Sequence, residues 1–249
     1  MKARMFLVAS VSSYVLFVMT MIYAVAFFGN FLMPRTIDGF AVTPFSEALA
    51  VNVSLLCLFA LQHSGMARTA FKKSVTRAVP VCLERSLFVF ISSVTVIVLM
   101  LFWKPMGAIV WSVEPTLLRA LITGAYFSGW VLIVWSTFLI DHLSYFGLRQ
   151  AHTAYRGGIC EIPGFQTPGA YRVVRHPIHT GWLIILWAAP TMTVTRLTLA
   201  TGLTIYILAG TRLAEAGLKC RFEPYAQYVR KVPMLMPSIR RHLAIRRGD

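Results

Sequence analysis

TPGAYRVVRHPIHTGW (Thr167 to Trp182) and LAEAGLKCRFEPYAQYVRKVPMLMP (Leu213 to Pro237) enclose the stretch on which the fold turns. Arg175, His176 and Pro177 stand directly before an apolar run, where proline can open a helix because its missing N–H would have no partner in a first turn. The first apolar arm, Gly181 to Thr193, is about half of the ~20 residues that a full membrane span needs. A turn around Val194, Thr195 and Arg196 leads into a second arm, Leu197 to Leu213, and Glu215 follows at once. The pattern predicts a helical hairpin with polar chemistry at its mouth and a basic, tyrosine-bearing segment after it.

Outward from this hairpin, the composition is that of a bilayer protein. The chain has 249 residues, 57% hydrophobic and only 13% charged, where soluble domains carry about 25%. A net charge of +15 could mark a nucleic-acid binder, but the basic residues avoid the apolar runs and gather between them. Membrane topology explains that arrangement, so no nucleic-acid partner is expected. Cys57, Cys82, Cys160 and Cys220 show no CxxC spacing, and neither a disulfide nor a metal site is expected.

Four long spans are predicted: Met5 to Met33, Glu47 to Leu61 extending toward His63, Ser86 to Trp103, and Leu117 to Ile140. The first is too long for a signal peptide and reads as a tilted span. Lys104 to Pro115 reads as a loop, with Trp103 and Trp111 suited to the membrane interface. The expected fold is all-α and polytopic: four long spans, a C-terminal helical hairpin and a basic cytosolic tail, in one domain over residues 1–249. With the N-terminus in the cytosol, only Arg35, Lys104, Arg119 and Arg196 of the 24 Lys and Arg fall on the opposite side. That asymmetry predicts cytosolic N- and C-termini, in a bacterial inner membrane.

Polar residues then gather at the cytosolic ends of helices: Gln62, His63 and Arg68; Glu84 and Arg85; Asp141, His142, Arg149 and Gln150; Arg175 and His176 with Glu215. Ionisable residues at the edge of apolar spans are functional candidates. Each group also has a structural reading. Gln62 and His63 can bond neighbouring backbone, Asp141 and His142 can cap a helix, and Glu84 is favourable at a helix N-terminus by itself, with Arg85 beside it. Tyr225 and Tyr228 share a helical face, suited to interfacial anchoring or to stacking on a ligand.

TPGAYRVVRHPIHTG, FEPYAQY and VPMLMP, with APTMT (Ala189 to Thr193), LQHSGMAR (Leu61 to Arg68) and DHLSYFGLRQ (Asp141 to Gln150), resemble the isoprenylcysteine carboxyl methyltransferase superfamily of membrane methyltransferases. The resemblance covers Leu61 to Pro237 and is closest to a thiol-methylating branch. It implies S-adenosylmethionine as cofactor, held by Arg175, His176, Pro177, His179, Gly181, Glu215, Tyr225 and Tyr228. The absence of GxGxxG after a strand excludes a soluble Rossmann methyltransferase. The implied acceptor is a small thiol, methanethiol giving dimethyl sulfide, lined by Gln62, His63, Tyr145, Phe146 and Gln150. The acceptor must ionise before it attacks, and even a cysteine thiol has a pKa near ~8.5; Arg149 is the candidate cation, His142 the candidate proton acceptor, and Asp141 their neighbour. His179 stands where the family has tyrosine, the acidic helix end keeps only Glu215, and Phe222–Glu223–Pro224–Tyr225 alters the following turn. Two other readings stay open. One is methylation of a prenylcysteine carboxylate or another lipophilic acceptor, for which the sequence offers no obvious lipid channel. The other is a non-enzymatic haem-binding or transport protein using His63, His142 and His176.

Overall fold

The computed structural model describes residues 2–158 and 165–237; Cys160 and the basic tail after Pro237 lie outside them. The first apolar run forms α1 (Lys2–Gly29). Prolines set the start of the next long helices. Pro44 precedes α2 (Phe45–Ala67), which leads into the short basic α3 (Thr69–Val75). Pro80 precedes α4 (Val81–Phe102), and Pro115 precedes α5 (Thr116–Ile140). All three prolines sit in extended backbone with no N–H to offer, so no upstream helix can continue through them. Two short helices follow, α6 (His142–Tyr145) and α7 (Leu148–Tyr155), then a 3-10 turn (Gly169–Arg172).

The C-terminal hairpin is asymmetric. Its first arm, α8 (Pro177–Trp187), has 11 residues, but its second, α9 (Val194–Arg221), has 28. The predicted turn at Val194 to Arg196 is already helical, with Thr193 as the N-cap accepting from Arg196 N at 3.1 Å. The reversal lies just upstream, where β2 (Thr191–Thr193) pairs antiparallel with β1 (Ile109–Ser112) in the segment read as a plain loop. The second arm also outruns its predicted end at Leu213, because nothing before Phe222 breaks the helix; α10 (Glu223–Lys231) follows. Among the described residues five helices, the second hairpin arm included, are long and apolar enough to cross a membrane, and the chain is an all-α polytopic membrane protein.

Burial is inverted relative to a soluble bundle. Met5, Val8, Val15, Met19 and Ile22 of α1 are exposed, whereas Ser10, Ser13 and Thr20 are buried. Ser13 and Thr20 return their hydroxyls to carbonyls one turn back, and Ser86 donates to Ser10 across α1 and α4 at 2.8 Å. Lipid supplies no hydrophobic force between helices, so small and internally bonded side chains make the contacts. The closest is between α5 and α8. GWVLI (129–133) faces GWLII (181–185), and a Cβ on Gly129 would meet the Gly181 carbonyl oxygen at 2.8 Å, or one on Gly181 the Gly129 oxygen at 2.7 Å. Trp130 and Trp182 stack edge to face beside them at 5.3 Å.

The far end is locked by polar pairs. Asp38 accepts from Thr193 at 2.5 Å and from Arg196, and Asn52 exchanges two bonds with the Lys104 backbone at 2.8 and 2.9 Å. Trp103, expected at the interface, is instead a core residue 2% exposed.

Candidate active site

Glu215 projects from α9 into the entrance of α8, and both its oxygens are used. Arg175 donates Nε to Oε1 at 2.7 Å and Nη2 to Oε2 at 3.0 Å, and His176 Nε2 lies 2.9 Å from Oε1. Arg175 Nη1 adds the carbonyls of Val229, at 3.2 Å, and Val232. Burying two charges is expensive, and a planar fork that satisfies a carboxylate and two carbonyls at once offsets it; a lysine would not. The VPMLMP segment straps across this cluster. Arg175 N donates to Pro233 O at 2.9 Å, His176 N to Met234 O at 3.2 Å, and Thr180 Oγ1 to Leu235 O at 2.7 Å. Pro177 is the buried first residue of α8.

An aromatic wall adjoins the mouth. Phe165, Phe222, Tyr225 and Tyr228 have ring centroids 5.4–5.8 Å apart. The Tyr228 hydroxyl donates to the Tyr171 carbonyl, and burial pushes it up to about 12. Tyr225 is 2% exposed; burial and the Glu215 carboxylate push its hydroxyl up, and it has no hydrogen bond of good geometry among the described residues. Burial holds the His176 imidazole below its ordinary value, although Glu215 pulls the other way.

Beyond the mouth, His176 stacks on His179 at 5.4 Å, and His179 Nδ1 is held by Thr211 Oγ1 at 2.8 Å. His179 is within electrostatic reach of His63 on α2. His63 stacks on Phe59, faces Phe88 at 4.9 Å and Tyr206 at 6.5 Å, and pairs Nδ1 with Ser92 Oγ at 3.3 Å. Gln62 donates to the same Ser92 hydroxyl at 3.3 Å. On α4, Arg85 lies in the same face as Phe88 and Ser92. It donates Nε to the Tyr145 carbonyl at 2.5 Å, with its guanidinium 4.8 Å from the Tyr145 ring. Tyr145 is also within electrostatic reach of Tyr171, whose carbonyl accepts from Tyr228 at the mouth.

The candidate catalytic group sits elsewhere. Both nitrogens of His142 are engaged, Nε2 with Tyr14 at 2.8 Å and Nδ1 with Thr137 at 2.7 Å. Its ring is stacked on Phe138 at 4.2 Å and packed against Phe146. Burial holds it below its ordinary value against the pull of Asp141. Arg149 is clamped on Asp141 at 2.8 and 3.0 Å, with 57% of its side chain exposed. Asp141 itself has φ 95 and caps α6 through Ser144 N, so this group reads as the device that turns α5 into α6. Gln150 bonds Ser144, and Phe146 is packed among rings. His142 is therefore not free to bind haem. Gly181 lies against α5, not at the mouth.

Sequence reasoning thus brought Arg175, His176, His179, Glu215, Tyr225 and Tyr228 to one place. It gave Arg85 a structural role and did not single out Phe88, Ser92, Phe165, Tyr171, Tyr206 or Thr211. The spacing of Arg85, Phe88 and Ser92 along one helical face was the available signal. An apolar groove of about 610 Å³ also runs between α2 and α9, lined by Val53, Leu56, Cys57, Thr201 and Gly202 and ending at Tyr206. The sequence did not disclose this groove.

No family model matches the chain, and no solved structure matches it. The methanethiol S-methyltransferase of Mycobacterium tuberculosis is 39% identical over 243 residues, which is 97% of this chain and 100% of that protein. That of Pseudomonas deceptionensis is 44% identical over 215 residues, 86% of this chain and 82% of that one. Nurim of Xenopus laevis is 33% identical over 183 residues, 69% of this chain and 62% of its own length.

Proposed function

Because this chain belongs to the methanethiol S-methyltransferase family, we propose that it is a membrane methyltransferase converting methanethiol to dimethyl sulfide, with S-adenosylmethionine as methyl donor. The observation that carries this reading is geometric. The RHP entrance, Glu215 and the VPMLMP strap, far apart in sequence, close into one buried polar cluster. The donor set fits the cofactor: a buried Tyr225 hydroxyl that makes no hydrogen bond of good geometry among the described residues, the Glu215 carboxylate beside it, and an aromatic wall suited to adenine. Arg175 orients Glu215, His176 and Tyr225 hold the polar end, and Tyr228 with Phe165 meets the flat ring. When bound, the cofactor supplies a methyl group on a sulfonium. A thiolate and that cation become two neutral products, so side chains that exclude water favour the step. The strap and the rings do so here.

The basic residues gather at the end of the bundle that holds this cluster, which supports cytosolic N- and C-termini in a bacterial inner membrane. A second reading, a lipophilic acceptor such as a prenylcysteine carboxylate, is favoured by the groove between α2 and α9. The test is headspace dimethyl sulfide from purified protein supplied with methanethiol and S-adenosylmethionine, alongside calorimetry of cofactor binding to wild type and His176→Ala. Sulfide release and weakened binding in the variant are expected. No sulfide from folded, cofactor-binding protein would refute the thiol reading.

A further inference from the structure

We propose that Arg85 binds the acceptor as its thiolate, in a site walled by Phe88, Tyr145, His63 and His179. This deepens the methyl-transfer reading and rests on it for the identity of the acceptor. The first argument is charge. Arg149 is neutralised by Asp141, Arg175 by Glu215 and Arg196 by Asp38. Among the described residues no carboxylate lies within ion-pair distance of Arg85, and its sequence neighbour Glu84 is bound to Lys72 at 3.4 Å. A guanidinium has five N–H donors. Of those on Arg85, only Nε–H finds an acceptor among the described residues, the Tyr145 carbonyl at 2.5 Å.

The second argument is surroundings. The Arg85 guanidinium lies 4.8 Å from the Tyr145 ring centroid and 5.1 Å from that of Phe88, which is itself 8% exposed and 4.9 Å from His63. A weakly hydrated cation between rings suits a soft, polarisable anion carrying one methyl group. It stands toward the far end from Glu215 of a run of side chains: Phe88 is 4.9 Å from His63, His63 is within electrostatic reach of His179, and His179 stacks on His176 at 5.4 Å. Acceptor and donor ends are therefore separate, with the His63 and His179 rings between them.

The third argument is chemical. An opposite charge within ~4–6 Å lowers an acid's pKa by about 1–3 units. The S–H bond breaks with its electron pair left on sulfur and its proton released to solvent water. Arg85 cannot take that proton or return it; it acts as a counter-ion. Arg149, more than half exposed and paired, offers no such field.

The experiment follows the ultraviolet absorbance of thiolate as the full-length protein in lipid nanodiscs is titrated with pH in the presence of methanethiol and without cofactor. In wild type the bound thiol should ionise at lower pH than free thiol by about one unit, a tenfold larger thiolate fraction. Arg85→Gln should abolish the shift and Arg85→Lys retain part of it, with cofactor calorimetry unchanged. An unshifted wild-type titration, or the same shift in folded Arg85→Gln, overturns the proposal. Should Arg85→Gln not fold, thiocyanate serves as a soft-anion probe on wild type. It should displace methanethiol without displacing cofactor, and failure to displace methanethiol overturns the proposal equally. Sulfide production is read separately. A shifted titration without turnover sinks the methyl-transfer reading alone, and turnover with an unshifted titration sinks the Arg85 site alone.

Discussion

Gly129 and Gly181 provide the sharpest test of how the helices are held. Alanine at either position places a Cβ 2.7–2.8 Å from a backbone oxygen of the opposing helix, and Ile185 or Ile133 stands equally close on the same side. Carbon and oxygen need about 0.5 Å more room, and a backbone carbonyl cannot rotate away, so α5 and α8 must separate. Overpacking of this kind costs about 1–3 kcal/mol, against about 1 kcal/mol that alanine gains over glycine in a helix. Because the obstacle is backbone on both sides, the upper range applies and the net loss is roughly 1–2 kcal/mol, or ~2–8 °C in melting temperature for a chain of this size. Gly124, on the same α5, has nothing within 4 Å of its would-be Cβ. Gly124→Ala should therefore raise the melting temperature by ~2–4 °C. The assay is thermal unfolding in one detergent, with the three single variants side by side. If Gly181→Ala and Gly124→Ala move together, the close approach of α5 and α8 does not exist in the membrane protein.

Other consequences can be measured alongside. Glu215→Ala strands Arg175 in a buried site and should lower stability by about 3–5 kcal/mol, whereas Arg175→Met with Glu215→Leu loses less; equal losses in denaturant melts would show that the pair is not closed. His142 and His176 are both held below the ordinary imidazole value by burial. Their contribution is complete above about pH 6.5 and is lost as pH falls further, because the unfolded chain takes up the protons first. The melting temperature should accordingly be flat above that point and fall below it, less steeply in His142→Gln; an unaltered acid slope counts against a buried neutral imidazole. Initial rates should drop as the alkanethiol lengthens, by ~1–3 kcal/mol per methylene that clashes, and a farnesylated cysteine analogue turned over faster than methanethiol would promote the lipophilic reading. Reporter fusions should place Gly158 in the cytosol and Ala108 on the opposite side, and the reverse result would invert the bundle.

The long helices were legible because hydropathy reports burial in lipid directly: α1, α2, α4 and α5 fall on their apolar runs. α9 was cut short for the same reason. Arg212, Glu215, Lys219 and Arg221 end the apolar run, but helices end where capping or proline ends them, and here that is Phe222 before Pro224. At the site, residues adjacent in sequence to a motif were easy to place, as with Arg175 and His176. Residues joined only by tertiary packing were not. Asp141, His142 and Arg149 look like a catalytic constellation because an ion pair and a buried imidazole at a helix end look the same in sequence whether they serve a substrate or a turn. The structure adds their partners, Tyr14, Thr137 and Ser144, which the sequence did not disclose.

The inequality of the two hairpin arms is what makes a site possible. At 1.5 Å per residue, α8 is about 16 Å long and reaches roughly half of the ~30 Å hydrocarbon layer. From Val194 to Thr211, where His179 sits opposite, α9 has already risen about 26 Å, and it continues past the start of α8. Arg175 and His176, at the entrance of α8, therefore stand level with the last turns of α9, near the end of its rise through the layer. Irregular backbone at the edge of the hydrocarbon layer is tolerated only where protein satisfies it, which is the work of Pro233, Met234 and Leu235 in the strap. The charge is tolerated because α9, being longer, holds Glu215 at the same level. A second arm that ended at Leu213 would not have reached Glu215, and the buried Arg175 would have lost its carboxylate.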